Sequence, residues 1–214
     1  MKLKSTLALV TVAFLSQANA AQYLVSNVVN GIGSTDALYQ NVDNSLLSGG
    51  IVALGYFASG TPSSSLDDIA ITISSFTLQA SALAGSNSDS LGGSFAGFVE
   101  ANLVDGADIT AGNSLLGKSV YIFVGNASTL AGSTAWALAP VGTIVDDVPV
   151  ENQYTAQPFG VTPLIGSVGS FTGNAGGQGS STFTTLKLAQ AIPEPSAALL
   201  GAIGAMALLR RRRN

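Results

Sequence analysis

The chain has 214 residues, of which only 9% are charged, against the roughly 25% usual in soluble domains, while its apolar share of 47% is ordinary. It has no cysteine and no histidine, which excludes a disulfide framework, zinc and iron–sulfur sites, a thiol nucleophile, and the commonest general base and transition-metal ligand. Small polar residues stand where Lys, Glu and Arg normally would, a composition better suited to strands and tight turns than to surface helices.

The N-terminus reads Met-Lys-Leu-Lys, then an apolar run from Ser5 to Leu15, then Ser-Gln-Ala-Asn-Ala ending at Ala20. A positive start, a short apolar stretch and small residues at Ala18 and Ala20 make a secretory signal peptide, residues 1–20. Cleavage after Ala20 leaves Ala21 as the mature start.

Residues 21–190 are expected to form a single extracytoplasmic domain, mainly β, either a sandwich or an α+β layer, with one or two helices. Strand character falls at Tyr23–Val29, Ile51–Phe57, Ser94–Val99, Val120–Val124, Gly142–Val145 and Thr182–Leu188. The unbroken run Val120-Tyr-Ile-Phe-Val124 predicts a central strand buried on both faces. Phe183 is out of phase with Leu186 and Leu188, which predicts a bulge or one-sided burial.

Two segments suggest helix. Ser65 is followed three residues later by Asp68, and Leu66, Ile69, Ile73 and Phe76 recur at helical spacing. The competing pattern is Ile69–Ile73 as an alternating strand; helix is the expectation. A second helix is expected from Ser34-Thr35-Asp36 to about Leu47. Gly- and Ser-rich loops are expected at Ser81–Gly93, Asn126–Gly132 and Gly166–Ser181, the last flexible by composition.

The C-terminal segment, residues 191–214, has three parts in order. Ile192-Pro193-Glu194-Pro195 breaks regular structure, because both prolines lack an N–H. Ala197–Leu209 is an apolar run about 20 Å long as a helix, against a hydrocarbon core of about 30 Å. Arg210, Arg211, Arg212 and Arg213 close it. Lys2 and Lys4 at one end and four arginines at the other both favour the cytoplasmic side, leaving everything between them outside. Gly201 and Ala205 form a small-xxx-small face of the kind that lets membrane helices approach closely.

Pro193, Glu194 and Pro195, a short apolar helix and a terminal arginine cluster together resemble the PEP-CTERM sorting signal of bacterial exported proteins. The resemblance is confined to these 23 or so residues. It implies recognition by an exosortase-type membrane protease near Pro193–Pro195, with the arginines as the stop, followed by release or transfer to the cell surface or extracellular matrix. It implies an address and leaves the body's activity open.

Without the two ends the body keeps two lysines and eleven carboxylates, a net charge of −9. Such a surface is not expected to bind nucleic acid. Acidic pairs occur at Asp67-Asp68, Asp105-Gly-Ala-Asp108 and Asp146-Asp147. The second, as a loop bent at glycine, offers two of the several oxygens a calcium site needs, but solvated turn residues are the expectation. Glu100 and Glu151 are the body's glutamates, and sequence does not bring them together as a glycosidase pair. A Ser–Lys dyad has only Lys118 or Lys187 to use, and neither lies in a serine motif; hydrolase-elbow, aspartic-protease and phosphate-loop patterns are missing from the sequence. Asn126-Ala-Ser128 is a glycosylation sequon of a kind common by chance. Trp136 with Tyr121 and Phe123 makes either a sugar-stacking platform or core, and core is the expectation.

The reading is thus an exported, non-enzymatic surface or matrix protein with no cofactor and no metal site. Its partners are the export machinery, signal peptidase, an exosortase-type protease, the envelope membrane before processing, and extracellular polysaccharide. A carbohydrate- or calcium-binding module and a secreted hydrolase are the alternatives.

Overall fold

The computed structural model describes residues 20–28, 37–85, 87–88, 93–108, 112–146, 152–158, 160–175 and 180–190. The calls at residues 1–19 and 191–214, and those on Asp147 and Glu151, lie outside them.

In chain order the strands are β1 (Ala20–Ser26), β2 (Ala37–Gln40), β3 (Ile51–Phe57), β4 (Phe76–Leu83), β5 (Asn87–Ser88), β6 (Gly93–Ser94), β7 (Glu100–Asp108), β8 (Ser119–Gly125), β9 (Ala135–Thr143), β10 (Gln153–Thr155), β11 (Ser167–Asn174), β12 (Ser180–Lys187) and β13 (Ala189–Gln190). A 3₁₀ turn, Leu66–Asp68, runs into α1 (Ile69–Ser75). The protein is mainly β with one short helix among the described residues.

The central sheet has five strands in the order β13-β9-β8-β3-β4. Its middle strand is β8, and every residue from Val120 to Gly125 is buried. Val120, Ile122 and Val124 enter one hydrophobic cluster while Tyr121 and Phe123 enter another on the opposite face. That is what an unbroken apolar strand requires. Pro140 is tolerated in β9 because β13 reaches only Ala135 and Trp136, so the neighbouring side is open at residue 140.

Two smaller sheets share the first cluster. One has the order β10-β1-β7, with β10 parallel to β1, and contributes Ala21, Tyr23, Val25 and Tyr154. The other, β11-β12-β2, contributes Tyr39 and Leu186. The helix lies on the other face, where Leu66, Ile69 and Ile73 pack on Phe57, Tyr121, Phe123, Trp136 and Leu138. Its start is capped by the Ser65 hydroxyl, which accepts from the Asp67 N–H at 3.1 Å. Asp68 does not complete a reciprocal box, since its carboxylate accepts from the Ser63 hydroxyl at 2.8 Å. The helix therefore prevails over the alternating-strand pattern at 69–73.

Several expectations are corrected. The segment expected as a helix to Leu47 contains instead β2, in parallel register with β12, followed by a turn. Pairing with a distant strand and burial of all four β2 residues outweigh the local helix-start signal. Ser94–Val99 is a turn apart from its first residue, with the Gly97 N–H donating to the Leu47 carbonyl at 2.6 Å. Gly166–Ser181 contains β11, paired with β12 without a register shift. In β12 neither a bulge nor one-sided burial occurs. Phe183 packs with Leu38 and Phe98, while Leu186 packs into the main core, so the strand serves two clusters from its two faces.

Candidate functional site

The candidate residues divide into those the fold buries and those it leaves on a surface. Trp136, Tyr121 and Phe123 are buried, and the Trp136 indole N–H donates to the Leu130 carbonyl at 2.9 Å. Tyr121 meets Phe57 edge-on at 5.1 Å, and Phe123 meets Phe76 at 5.4 Å. These rings are core, as expected.

Asp105 and Asp108 both lie on β7, so the bent loop expected for a two-ligand calcium site is an extended strand. Gly106 is needed there for packing, because a Cβ would lie 2.5 Å from the Tyr23 ring. The Gln22 amide reaches the Asp105 carboxylate at 3.4 Å. Asp67 and Asp68 sit in the helix entry and Glu100 opens β7 against Ser26. Asp146 follows β9, and its carbonyl accepts from the Asn152 amide at 3.0 Å. Among the described residues no three acidic side chains converge on a possible metal position.

One surface groove gathers polar side chains from three distant stretches. It has a volume of about 350 Å³ and is lined by Asn41, Val42, Asp43, Asn126, Ala135 and Gln190. Its floor follows from two tight turns. In the first, the Asn41 N–H donates to the Ser45 carbonyl at 2.8 Å, and Asn44 adopts a φ of 69°, which asparagine tolerates better than most residues. The Asp43 carboxylate accepts from the Ser45 hydroxyl at 2.6 Å and from its N–H at 3.0 Å. Those bonds, hydroxyl first, with help from the Lys187 charge, hold the Asp43 carboxyl below the usual carboxylate range. Lys187 is placed by donation to the Asn44 side-chain oxygen at 2.6 Å.

The second turn closes the β8–β9 hairpin. The Asn126 side-chain oxygen accepts from the N–H groups of Thr134 and Ala135 at 2.8 and 3.1 Å, and its amide donates to the Thr134 hydroxyl at 3.0 Å. The sequon asparagine thus has a structural task. Gln190 completes the groove from β13.

A second groove of about 280 Å³ is lined by Phe57, Gly60, Thr61, Gly117, Lys118, Ser119 and Tyr121. It places Lys118 and Ser119 side by side because they are sequence neighbours.

Sequence reasoning missed Asn41, Asp43 and Gln190. The Asn-Val-Asp-Asn-Ser run was read as helical, although its Asx-rich composition is itself a turn signal. Gln190 carries no signal, since its place in the groove follows from β13 pairing with β9. Comparison with protein-family models, curated proteins and solved structures finds no match for this chain.

Proposed function

We propose that this is an exported bacterial protein, sorted to the cell surface or extracellular matrix by its C-terminal segment, where it serves as a structural, non-enzymatic component. The observation that carries the reading is the ordered tail: Pro193-Glu194-Pro195, the apolar run Ala197–Leu209 and Arg210–Arg213. On this reading residues 1–20 form a signal helix that is removed, residues 21–190 are one extracytoplasmic domain, and residues 191–214 include a short membrane helix. An exosortase-type protease acts near Pro193–Pro195. The apolar run is too short to span comfortably, which favours transient residence before processing.

The body supports a structural role in two ways. Its aromatic residues singled out for sugar stacking are in the core, and among the described residues no three acidic side chains converge. The test is fractionation of cells producing the full chain or a chain lacking residues 192–214. The full chain should pass through the envelope membrane to the surface fraction, and the shortened chain should bypass the membrane. Full chain remaining in the cytoplasm would refute the reading.

A second reading, a carbohydrate-binding module, is favoured by the groove of Asn41, Asp43, Asn126 and Gln190. Amide and carboxylate side chains supply the donors and acceptors that sugar hydroxyls use. A glycan array probed with the full chain and with Asp43→Ala decides it; no glycan distinguishing the two removes this reading.

A further inference from the structure

Strands at sheet edges carry unpaired N–H and C=O groups, and proteins that stay monomeric guard them with charge, proline or bulges. Three long edges occur among the described residues. β7 carries Glu100 at its start and Asp105 within it. β4 is bent by a register shift opposite Leu54 and Gly55, and the Gln79 amide folds back onto the Leu78 carbonyl at 3.2 Å. β11, Ser-Val-Gly-Ser-Phe-Thr-Gly-Asn, has no charge and no proline, and it pairs with β12 over eight successive residues without a shift. Its outer side has no strand partner among the described residues.

We propose that β11 is a self-association edge, through which two copies of this chain pair antiparallel about Ser170 and join two three-stranded sheets into one of six. The occupant follows from charge. A body of net charge −9 repels its own copy, but the β11–β12 hairpin carries no carboxylate over its paired residues, and its one charge, Lys187, lies at the far end from the turn. This is a surface on which two copies meet without opposing carboxylates.

The register follows from the side chains. Outward-pointing backbone groups can face each other only when the paired residue numbers add to an even sum. With Ser170 opposite Ser170, Val168 meets Thr172, two β-branched exposed side chains on one face, and Phe171 lies beside Gly169 of the second copy. A shift by two one way sets Val168 against Ser170; the other way sets Val168 against Asn174 and Phe171 against Phe171, a register in which Ser170 faces Thr172 and a thiol at 170 has no thiol opposite it. The Thr172–Thr182 hydroxyl bond, at 2.9 Å, already shows the cross-strand pairing that the second copy would continue. The charge argument rests on the proposed removal of both ends, whereas the open edge of β11 does not.

The test uses the full chain in detergent, by sedimentation velocity and non-reducing electrophoresis. The chain has no cysteine, so Ser170→Cys supplies a single thiol. Ser170→Cys should form a disulfide-linked dimer, while Leu78→Cys on β4 should stay largely monomeric. Val168→Lys should raise the dimer dissociation constant about tenfold or more, and Leu78→Lys should leave it unchanged. Val168 is 54% exposed, so the lysine is compatible with folding, checked by an unchanged melting temperature; Thr172→Lys is the second variant. A dimer retained in both lysine variants of β11 points to association through residues 197–209 and overturns the proposal. So does a dimer lost in Leu78→Lys, or a chain that is monomeric throughout.

Discussion

The Tyr39 hydroxyl donates to the Ala156 carbonyl, joining two fully buried residues 117 positions apart. The bond fastens β2, in one small sheet, to the segment that follows β10 in the other. Tyr39→Phe keeps the ring and leaves the Ala156 carbonyl buried without its donor, which should cost about 1–3 kcal/mol. Burial holds the Tyr39 phenol protonated well above its ordinary range. The sign of the pH effect follows, since the folded value is raised. Tyr39 contributes its full stability below the unfolded value of about 10, and that contribution is lost as pH rises above it, because only the unfolded chain then ionises this phenol. Urea unfolding of both chains at about pH 8 and about pH 11 should show the difference between them shrinking at the higher pH. A constant difference would mean that the phenol ionises while folded.

Asn27 is a second buried polar anchor. Its amide donates to the carbonyls of Ala37 and Gly97 at 2.8 and 2.9 Å, and its oxygen accepts from the Val99 N–H at 2.9 Å. One side chain thus holds the end of β1, the start of β2 and the approach to β7. Asn27→Ala takes this partner from the Ala37 carbonyl and the Val99 N–H, while the Gly97 carbonyl keeps the Tyr39 N–H at 3.1 Å, and should cost about 3 kcal/mol. Asn27→Asp has nearly the same shape but sets a carboxylate against two carbonyls, and should be at least as damaging. Thermal unfolding measures both; a near-neutral Asn27→Asp would show that the donated bonds contribute little.

Much of the fold was legible where the chain's own periodicity agrees with its burial. Ile51–Phe57 and the core of β8 follow from β-branched and aromatic runs, and the helix from Leu66 follows from apolar spacing after Ser65. The misses share a cause. β2 and β11 owe their strand state to pairing with β12, and nothing local in Ala-Leu-Tyr-Gln or in a Gly- and Ser-rich stretch announces a partner. The polar groove was illegible for the same reason, because Asn41, Asn126 and Gln190 meet only through the sheet order.

Gly55 shows what pairing demands of a residue that looks incidental in sequence. It sits at the register shift between β3 and β4, and a Cβ there would lie 2.2 Å from the Thr77 carbonyl oxygen and 2.7 Å from the Phe76 ring. Backbone cannot give way as a side-chain tip can. Gly55→Ala should therefore destabilise by about 3 kcal/mol through overpacking, read as a lower denaturant midpoint. Gly60→Ala meets nothing within 4 Å, but it sits at a φ of 74°, so its smaller penalty measures conformational strain alone.

Asp43 provides a local reading of the groove's electrostatics. Its carboxyl is fully exposed, so its contribution to stability is slight, present above the unfolded value and lost as pH falls through the lowered folded one. Following its carboxyl carbon by NMR should give a titration below the ordinary aspartate range, and Ser45→Ala should move it upward. An unchanged titration in Ser45→Ala would assign the lowering to the backbone N–H groups of Ser45 and Asp43 and to Lys187.

The last prediction links β1 to export. Ala21, the expected mature start, is fully buried, and the Ala20–Ala21 bond lies within a strand that pairs β10 on one side and β7 on the other. On the proposed export reading, a signal peptidase would have to act before β1 enters its sheet. Cutting after Ala20 removes only the first residue of β1 and leaves the buried Tyr23 and Val25 in place. The full chain diluted from denaturant directly into detergent with signal peptidase should be cut after Ala20, whereas chain allowed to fold first should resist. Equal cutting in both would mean that the start of β1 opens readily in the folded protein, and that the β10-β1-β7 sheet gains its stability from Gln22 onward.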